Sequence, residues 1–364
     1  MKVAFLGKNF RDTYSGGRIH AWMMAHAFAA REHNVHYYTN TKPVFDEELK
    51  DYSDSSNFKK IYNKFFLFFP LQKYDLIVII PHLASKRSYL IDKWLFYPQL
   101  IFLKRISGCP VIYVDFESPN WINELVPGSR PEEVYKYSNN ILSAVDVILS
   151  TTQEGMKYAA QYYTKYNSGL SFKQVYLSIN SRIADRFVNS KKEKQVIYFG
   201  RFGEKHKNSS VLNDIINALP PYYTLLVIGN PEKLNADIYQ ALINQAKEKG
   251  IELVFKSGIS EREKYEHLAL SKLLIYSSSF EGYGLPPIEA QYVGTPVLCS
   301  DIPVLREVNK EAEFINFDDK EILTVKINSM LNAEYDKNKL KASVSAFAEF
   351  NNYVKNIKYL VDSI

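Results

Sequence analysis

Short apolar runs recur along both halves of this chain, and the stretches between them have apolar residues at helical spacing. In the first half, the runs that predict strands are 3–7, 35–39, 75–81, 111–117 and 145–151. In the second half they are 195–200, 225–229, 252–256, 273–276 and 296–300. Because strands that alternate with helices form parallel sheets, the pattern predicts an α/β protein with two doubly wound sheets.

The length of the chain also predicts more than one domain. With 364 residues it exceeds what a single hydrophobic core usually organises. The run VNSKKEKQ at 188–195 is charged and poor in apolar residues, which is typical of a linker. We therefore expect an N-terminal domain over 1–187, a second domain over 188–344 and a C-terminal helix over 345–364.

The segment 273–305 carries the most chemical information. Its apolar strand is followed by small residues, and then by a helix expected over about 287–293 that starts with prolines and ends at Gly294. Glu281 and Glu289 flank a glycine-bearing loop at the carboxyl end of this strand, where open α/β sheets bind ligands. Free N–H groups at a helix start favour phosphate, and carboxylates on either side accept hydrogen bonds from hydroxyls. These features fit a nucleoside diphosphate sugar.

Two cations follow the first strand of the second half. Arg201 comes directly after that strand, and Lys207 lies six residues further on, with Lys205 as a competitor for the same role. Arginine offers a fork of donors and lysine a compact charge, so the pair is suited to a pyrophosphate. Both cations would stabilise the charge that a leaving diphosphate gains.

The segment 281–290 resembles the signature of retaining glycosyltransferases of family 4, which have the GT-B fold. The family has two glutamates separated by seven residues around a glycine-aromatic-glycine-leucine-proline core, and this chain reads EGYGLPPIEA. The runs GTPV at 294–297 and SDIP at 300–303 are similar to the family as well. The resemblance implies two facing Rossmann-like domains with a deep cleft between them. It also implies that the C-terminal helix crosses back to the first domain.

The resemblance further implies a role for each matching residue. Glu281 would contact hydroxyls of the donor sugar, Glu289 would hold the ribose, and Arg201 and Lys207 would hold the diphosphate. Residues in the two glycine-bearing loops and the base-binding segment would supply the remaining donor contacts. They are Gly16, Gly17, Ile259, Gly282, Tyr283, Gly284 and Leu285.

One position departs from the family pattern. Many members have a histidine at the end of the fourth strand of the first half, where it reaches the 6-hydroxyl of the sugar. This chain has Glu117 there, two residues after Asp115. A carboxylate accepts a hydrogen bond from a hydroxyl but does not donate as a neutral imidazole does. We therefore expect Glu117 to take the catalytic position of the histidine, and this departure leaves the identity of the donor sugar open.

The resemblance implies transfer of a hexose with retention at the anomeric carbon and without a side-chain nucleophile. The donor is expected to be a UDP-sugar rather than a GDP-sugar. No Asp-x-Asp stands in a suitable position, so we predict a reaction that needs no metal and no cofactor. The expected acceptor is a hydroxyl of a growing cell-surface or lipid-linked glycan.

The distribution of charge bears on the acceptor. The chain has a net charge of +5, and residues 1–110 hold 16 Lys and Arg against 9 Asp and Glu, a balance of +7. Two basic and aromatic segments at 59–70 and 93–105 are typical of contacts with an anionic membrane surface. The alternative is that both segments are helices that pack within the first domain or against a second subunit, as in a homodimer.

Other functions remain open at this point. A sugar transferase acting on modified nucleic acid bases would also use a basic, aromatic surface, and a non-catalytic protein could bind a nucleotide sugar. The two cysteines, Cys109 and Cys299, lie in or beside predicted strands, which fits a reducing cytoplasm. Since no run of ~18 apolar residues occurs, we expect a cytoplasmic enzyme, peripheral at the inner face of the membrane at most.

Overall fold

The computed structural model describes residues 1–7, 16–39, 41–54, 56–62, 72–80, 97–129 and 139–364. The chain forms two compact units. The first comprises Met1–Ser178 together with Phe350–Ile364, and the second comprises Ile179–Glu349. The division thus falls nine residues before the expected linker, and the last fifteen residues group with the first unit.

The first unit is built on a parallel sheet. Its strands are β1 (Lys2–Gly7), β2 (Asn34–Thr39), β3 (Phe58–Tyr62), β4 (Leu76–Ile80), β5 (Val111–Asp115), β6 (Val147–Ser150) and β7 (Ser171–Gln174). Within the described residues, their spatial order is β3-β2-β1-β4-β5-β6-β7. The order reverses direction at β1, which pairs with both β2 and β4.

The second unit repeats this design. Its strands are β8 (Gln195–Phe199), β9 (Thr224–Ile228), β10 (Glu252–Lys256), β11 (Leu273–Tyr276), β12 (Val297–Ser300) and β13 (Glu313–Ile315). They are parallel and lie in the order β10-β9-β8-β11-β12-β13. Here the order reverses at β8, which pairs with β9 and β11. Such a reversal is the place where open α/β sheets bind ligands at the carboxyl ends of their strands.

Helices connect the strands in both units. In chain order, those described are α1 (Gly16–Ala29), α2 (Asp46–Leu49), α3 (Tyr97–Ser107), α4 (Pro119–Leu125), α5 (Gln153–Tyr163), α6 (Ser181–Ala184), α7 (Leu212–Ala218), α8 (Ala236–Glu248), α9 (Glu261–Leu270), α10 (Leu285–Tyr292), α11 (Pro303–Val308), α12 (Lys320–Asn332), α13 (Lys337–Ala348) and α14 (Phe350–Asp362).

The apolar runs form strands because both faces of each sheet are buried. In β1, Val3 and Phe5 belong to one hydrophobic cluster, whereas Ala4 and Leu6 belong to another. Successive strand residues point to opposite faces, so a continuous apolar run supplies both clusters. This explains why the central strands were predicted from sequence with small errors at their ends.

The C-terminal region corrects one expectation. A single helix was expected over 345–364, but α13 ends at Ala348 and α14 begins at Phe350. Glu349 between them has an extended backbone, with φ −66° and ψ 135°. The buried side chains of α14 recur at helical spacing and join the core of the first unit; they are Phe350, Tyr353, Ile357 and Leu360.

Each unit contains one buried cysteine. Cys109 lies in the first unit at 7% exposure and Cys299 lies on β12 of the second unit at 0%. Both are free thiols. Burial raises the pKa of each thiol above its ordinary value.

Candidate functional site

The segment after β11 turns sharply before it becomes a helix. Gly284 has a φ of 84°, in the left-handed region, and immediately precedes α10. A Cβ at this position would collide with the side chain of Leu305 on α11. Glycine is therefore required here for two reasons, the backbone angle and the close approach of Leu305. As a result, the N–H groups at the start of α10 lie at the carboxyl end of β11, next to the reversal of strand order at β8.

Glu281 and Lys207 form an ion pair in this region. The Lys207 Nζ lies 2.5 Å from the Glu281 Oε1, and the Tyr276 hydroxyl donates to the same oxygen at 2.6 Å. The two charged side chains are 12% and 11% exposed. The structure thus brings together two residues that are 74 positions apart and that the sequence predicted as donor ligands.

The loop that carries Lys207 is held through its backbone. The Tyr198 hydroxyl on β8 donates to the carbonyl of Lys207 at 3.0 Å. The backbone N–H of Ser279 donates to the carbonyl of His206 at 2.8 Å. These bonds tie the loop after β8 to the loop after β11 and fix the position of Lys207. Lys205 lies on the same short helical turn but is exposed.

The environment of Glu281 favours its charged form. Burial raises the pKa of this carboxyl, but the charge of Lys207 and hydrogen bonds from Lys207, Tyr276 and Ser278 outweigh burial. The pKa of Glu281 is therefore below its ordinary value. A carboxylate that stays ionised accepts hydrogen bonds, which suits the role expected of it towards sugar hydroxyls.

Glu289 lies in a second ion pair, with a residue that the sequence analysis did not identify. The Lys264 Nζ is 2.6 Å from the Glu289 Oε1 and also 2.6 Å from the Glu261 Oε1. The hydroxyl of Tyr265 donates to the same oxygen of Glu289 at 3.2 Å. Glu261 and Glu289 are only 4% and 3% exposed. One ammonium therefore serves two buried carboxylates, both of which belong to the second unit.

This sharing affects the pKa of Glu289. Burial raises it, Lys264 lowers it and the neighbouring charge of Glu261 raises it again, so the net direction is upward. For Lys264, burial alone would lower the pKa, but the two carboxylates raise it well above its ordinary value. The ammonium is thus charged at every physiological pH.

The other predicted donor ligands of the second unit lie on the same side of the sheet or near it. Arg201 follows β8, is exposed and lies 3.7 Å from Glu204. Gly282 and Tyr283 are buried in the loop before α10, and Leu285 is the first residue of that helix. Ile259 is half-buried and lies in the turn between β10 and α9.

The predicted residues of the first unit are also at carboxyl ends of strands. Gly16 and Gly17 open α1, which follows β1 in the chain. Glu117 is half-buried two residues after the end of β5. Asp115, the last residue of that strand, is 4% exposed and accepts a hydrogen bond from the Tyr163 hydroxyl at 2.9 Å. Burial raises the pKa of Asp115 to about 7.

A family comparison now adds to this geometry. Residues 181–346 match the family model described as "Glycosyl transferases group 1". The second unit is a group 1 glycosyltransferase domain. The match covers nearly all of that unit, from its third residue to α13.

Curated relatives of the chain belong to polysaccharide synthesis. It is 29% identical over 168 residues to the O-antigen chain mannosyltransferase RfbU of Salmonella typhimurium, which covers 45% of this chain and 44% of that protein. It is 34% identical over 89 residues to the serotype-specific mannosyltransferase WbdA of Escherichia coli, which covers 24% of this chain and 11% of that protein. The aligned part of the chain thus spans less than half of the length of these relatives.

A solved structure shows the same fold. The Anabaena protein HepE, in complex with UDP and glucose, has a TM-score of 0.67 and 16% identity, and the likeness covers 100% of both chains. This likeness confirms the predicted GT-B fold class, with two α/β domains built on parallel sheets.

The group 1 domain contains site residues that sequence reasoning missed. Lys264 and Glu261 are three residues apart on α9, and both are almost fully buried. Charged residues are rarely buried unless they are paired. The other charged residues of this helix are solvated, so the sequence gives no sign that these two are buried. For Tyr276 the sequence predicts only a place in the core of the strand, because its apolar neighbours give no sign that its hydroxyl contacts a charged residue.

Some of the features expected from the sequence fall outside the described residues. The parts 63–70 and 93–96 of the two basic and aromatic segments lie outside the residues that the structure describes. In the described ranges, no three His, Cys, Asp or Glu side chains come together in a way that could hold a metal ion. Across those ranges, no helix combines the length and the apolar character needed to cross a bilayer.

Proposed function

We propose that the chain is a retaining glycosyltransferase that moves a hexose from a nucleoside diphosphate sugar to a hydroxyl of a cell-surface or lipid-linked glycan. The observation that carries this proposal is the Lys207–Glu281 pair, at the point where the strand order of the group 1 domain reverses. A cation and a carboxylate held side by side can meet the phosphate and the sugar of one donor molecule.

In this proposal the second unit binds the donor. Lys207 and Arg201 contact the diphosphate, and the N–H groups from Gly282 to Leu285 face the phosphate and the sugar at the start of α10. Glu281 accepts hydrogen bonds from sugar hydroxyls, and Glu289 accepts them from the ribose. Ile259 lies in the turn that contacts the base.

The reaction needs charge stabilisation more than a nucleophile. The bond between the anomeric carbon and the phosphate oxygen breaks, and the acceptor oxygen bonds to the same face of that carbon. The departing phosphate oxygen takes the proton of the acceptor hydroxyl. Negative charge grows on the diphosphate in the transition state, so Lys207 and Arg201 stabilise the step. No metal has a part in this scheme.

The first unit is proposed to supply the acceptor side. Gly16 and Gly17 allow the backbone to approach the donor phosphate, and Glu117 accepts a hydrogen bond from a sugar hydroxyl. The sugar is proposed to be mannose, because both curated relatives reported above are named mannosyltransferases. The sequence favours UDP as the nucleotide, so the donor test must vary the base and the sugar independently.

A donor screen tests the proposal. Purified protein is mixed with UDP- and GDP-linked glucose, galactose and mannose, and thermal stability is followed for each donor. Products formed on a lipid-linked glycan acceptor are then analysed by mass spectrometry, and NMR of the product gives the anomeric configuration. Binding of a donor without transfer or hydrolysis would leave only a sugar-nucleotide binding protein, and inversion would contradict the retaining mechanism.

The same assay tests metal independence. We expect transfer to continue in excess EDTA, because two cations can take the place of a metal at the diphosphate. Near-complete loss of activity that magnesium or manganese restores would contradict this expectation. Transfer to modified DNA under the same conditions would instead favour a sugar transferase that acts on nucleic acid bases.

We also propose a peripheral contact with an anionic membrane. On α3, Leu100 and Leu103 are buried, whereas Phe102 is 60% exposed and Ile101 is 37% exposed. The region 59–62 forms part of β3, so the alternative in which both basic segments are helices is wrong for these residues. Co-sedimentation with anionic liposomes should occur at low salt, decline as salt is added and weaken in Phe102→Ser. No binding at low salt would remove this contact.

A further inference from the structure

A second group of cations lies at the amino ends of the strands of the group 1 domain, at the edge opposite Glu281. Lys192 precedes β8, Lys272 precedes β11 and Lys337 is the first residue of α13. The three side chains line one cavity of about 110 Å³, together with Tyr335. The site proposed above uses only the carboxyl ends of these strands, so it gives this group no role.

Lys192 contributes a half-buried ammonium to the group. Its Nζ donates to the Oγ1 of Thr295, a residue that is 0% exposed. In the part of the chain that the structure describes, no carboxylate lies within 4.0 Å of the ammonium of Lys192, Lys272 or Lys337. This differs from Lys207 and Lys264, each of which contacts a glutamate at 2.5 or 2.6 Å.

The arrangement of Lys337 is fixed by its neighbours. Its Nζ donates to the carbonyl of Ser190 at 2.9 Å, two residues before Lys192. Its aliphatic part packs on Gly294, where an added Cβ would lie 2.8 Å from the Lys337 side chain. Gly294 also has a φ of 75°, which few other residues adopt. Backbone and packing therefore hold Lys337 near Lys192 in spite of their like charge.

Such an arrangement is electrostatically unfavourable without an anion. Burial, and then repulsion by Lys337, lower the pKa of Lys192 to about 7. A buried charge without a partner is costly, and a nearby opposite charge removes much of that cost. Asp336 is adjacent in sequence, but its carboxylate caps α13 by accepting from the backbone N–H groups of Asn338 and Lys339.

We infer that this cavity is a binding site for an oxyanion of phosphate size, with Lys192 as its main contact and Lys272 and Lys337 as supporting charges. The phosphate can belong to a free phosphorylated metabolite or to a lipid headgroup, since both present the same tetrahedral group. The inference does not depend on the proposed transfer reaction, because none of its residues takes part in donor binding.

Titration of the full chain with inorganic phosphate tests the site. We expect a saturable rise in Tm and in calorimetric binding, and Lys192→Met should weaken the affinity by about tenfold or more. Lys194→Met, which removes an exposed lysine two residues away, should bind phosphate as the unaltered chain does. Lys207→Met should also keep this binding event, since phosphate bound at the donor site would be lost in that variant instead.

The same variants distinguish a loss of phosphate binding from a failure to fold. Replacement of this half-buried ammonium, which has no carboxylate partner among the described residues, by an apolar side chain of similar length should raise the Tm without phosphate, because the repulsion from Lys337 disappears. Lys272→Met provides a second variant with weakened binding. Unchanged phosphate affinity in both Lys192→Met and Lys272→Met would overturn the proposal, and so would the absence of binding to both phosphate and phospholipid vesicles. Binding to vesicles alone would assign the site to a lipid headgroup.

A pH series gives a readout that packing alone would not produce. Sulfate is the probe, because its charge is constant near neutrality. Its affinity should fall up to tenfold per pH unit above about pH 7, since Lys192 must take up a proton to bind it. Lys272 and Lys337 face the same cavity, and the pKa of Tyr335 is raised by burial and by Glu313. A sulfate affinity that is constant from neutral to alkaline pH would exclude Lys192 as the main contact.

Discussion

The two glutamates of the motif segment differ although each has a lysine partner. Glu281 receives hydrogen bonds from Lys207 and Tyr276, and within the described residues no second carboxylate shares its lysine. Glu289 shares the ammonium of Lys264 with Glu261. Burial raises the pKa of both carboxyls, but Lys207 and the hydrogen bonds to Glu281 outweigh it there, whereas at Glu289 the charge of Glu261 adds to burial, so the pKa of Glu281 is lowered and that of Glu289 is raised. The difference teaches that burial next to a lysine does not by itself determine the pKa of a carboxyl, because a second carboxylate on the same cation and the hydrogen bonds to the carboxyl also contribute.

The largest effect is expected from removal of the shared cation. Lys264→Met should lower the free energy of unfolding by ~3–5 kcal/mol, because it leaves two buried carboxylates without a partner. Urea denaturation measures this loss, which should be greater at higher pH, where both carboxyls are ionised. The triple variant with Glu261→Gln and Glu289→Gln should recover most of the stability. An unchanged stability in Lys264→Met alone would show that the three charges are solvated.

The next effect concerns the other lysine and should appear in turnover. Lys207→Ala should reduce the rate of sugar transfer by ~100-fold or more, as loss of a donor to developing charge does in other enzymes. Arg201→Ala should act in the same direction. Lys205→Ala is the matched control, since Lys205 lies on the same turn but is exposed. If Lys205→Ala causes the loss and Lys207→Ala does not, the proposed diphosphate ligand is wrong by two residues.

Central strands and the loop around Gly284 were predicted because continuous apolar runs and paired glycines are local signals. Three of the four edge strands, β3, β7 and β13, were missed, because they are half-exposed and carry mixed residues such as Lys59 and Lys173. The fourth edge strand, β10, was predicted, because its central residues are a continuous apolar run. Lys264 was missed because its partner Glu289 is 25 residues away, and such a contact exists only after folding.

A smaller effect should follow from changing Glu289. Glu289→Ala should weaken nucleotide-sugar binding by ~1–3 kcal/mol, through lost hydrogen bonds to the ribose. Glu289→Gln keeps the shape of the side chain, so its loss of binding free energy should be smaller than that of Glu289→Ala. Calorimetry with the donor that the screen identifies measures both variants, and Glu261→Gln is the control because it contacts the same lysine. Equal donor affinity in the folded Glu289→Ala variant would assign Glu289 to the ion cluster alone.

The smallest effect is a difference in pH dependence. The lowered pKa of Glu281 means that its stabilising contribution is present above its ordinary pKa and is lost as the pH falls towards the folded value. The raised pKa of Glu289 means that the folded state holds a proton more tightly, so its contribution declines as the pH rises through the interval above its ordinary pKa.

Unfolding of both variants should therefore be followed from acid pH to about pH 7, because the change for Glu281→Gln falls below the ordinary pKa of 4.5 and the change for Glu289→Gln falls above it. The stability difference should grow with pH for Glu281→Gln and shrink with pH for Glu289→Gln. If the stability difference changed with pH in the same direction for both variants, the proposed difference between the environments of Glu281 and Glu289 would be wrong.

The two cysteines provide a way to observe each unit separately. Because Cys109 and Cys299 are buried in different units and their pKa values are raised, a thiol reagent in neutral solution should react only during transient opening. Single variants Cys109→Ser and Cys299→Ser then leave one reporter each. The labelling rate of Cys299 should slow when a donor binds the group 1 domain, whereas a change at Cys109 would reveal that the donor also protects the first unit.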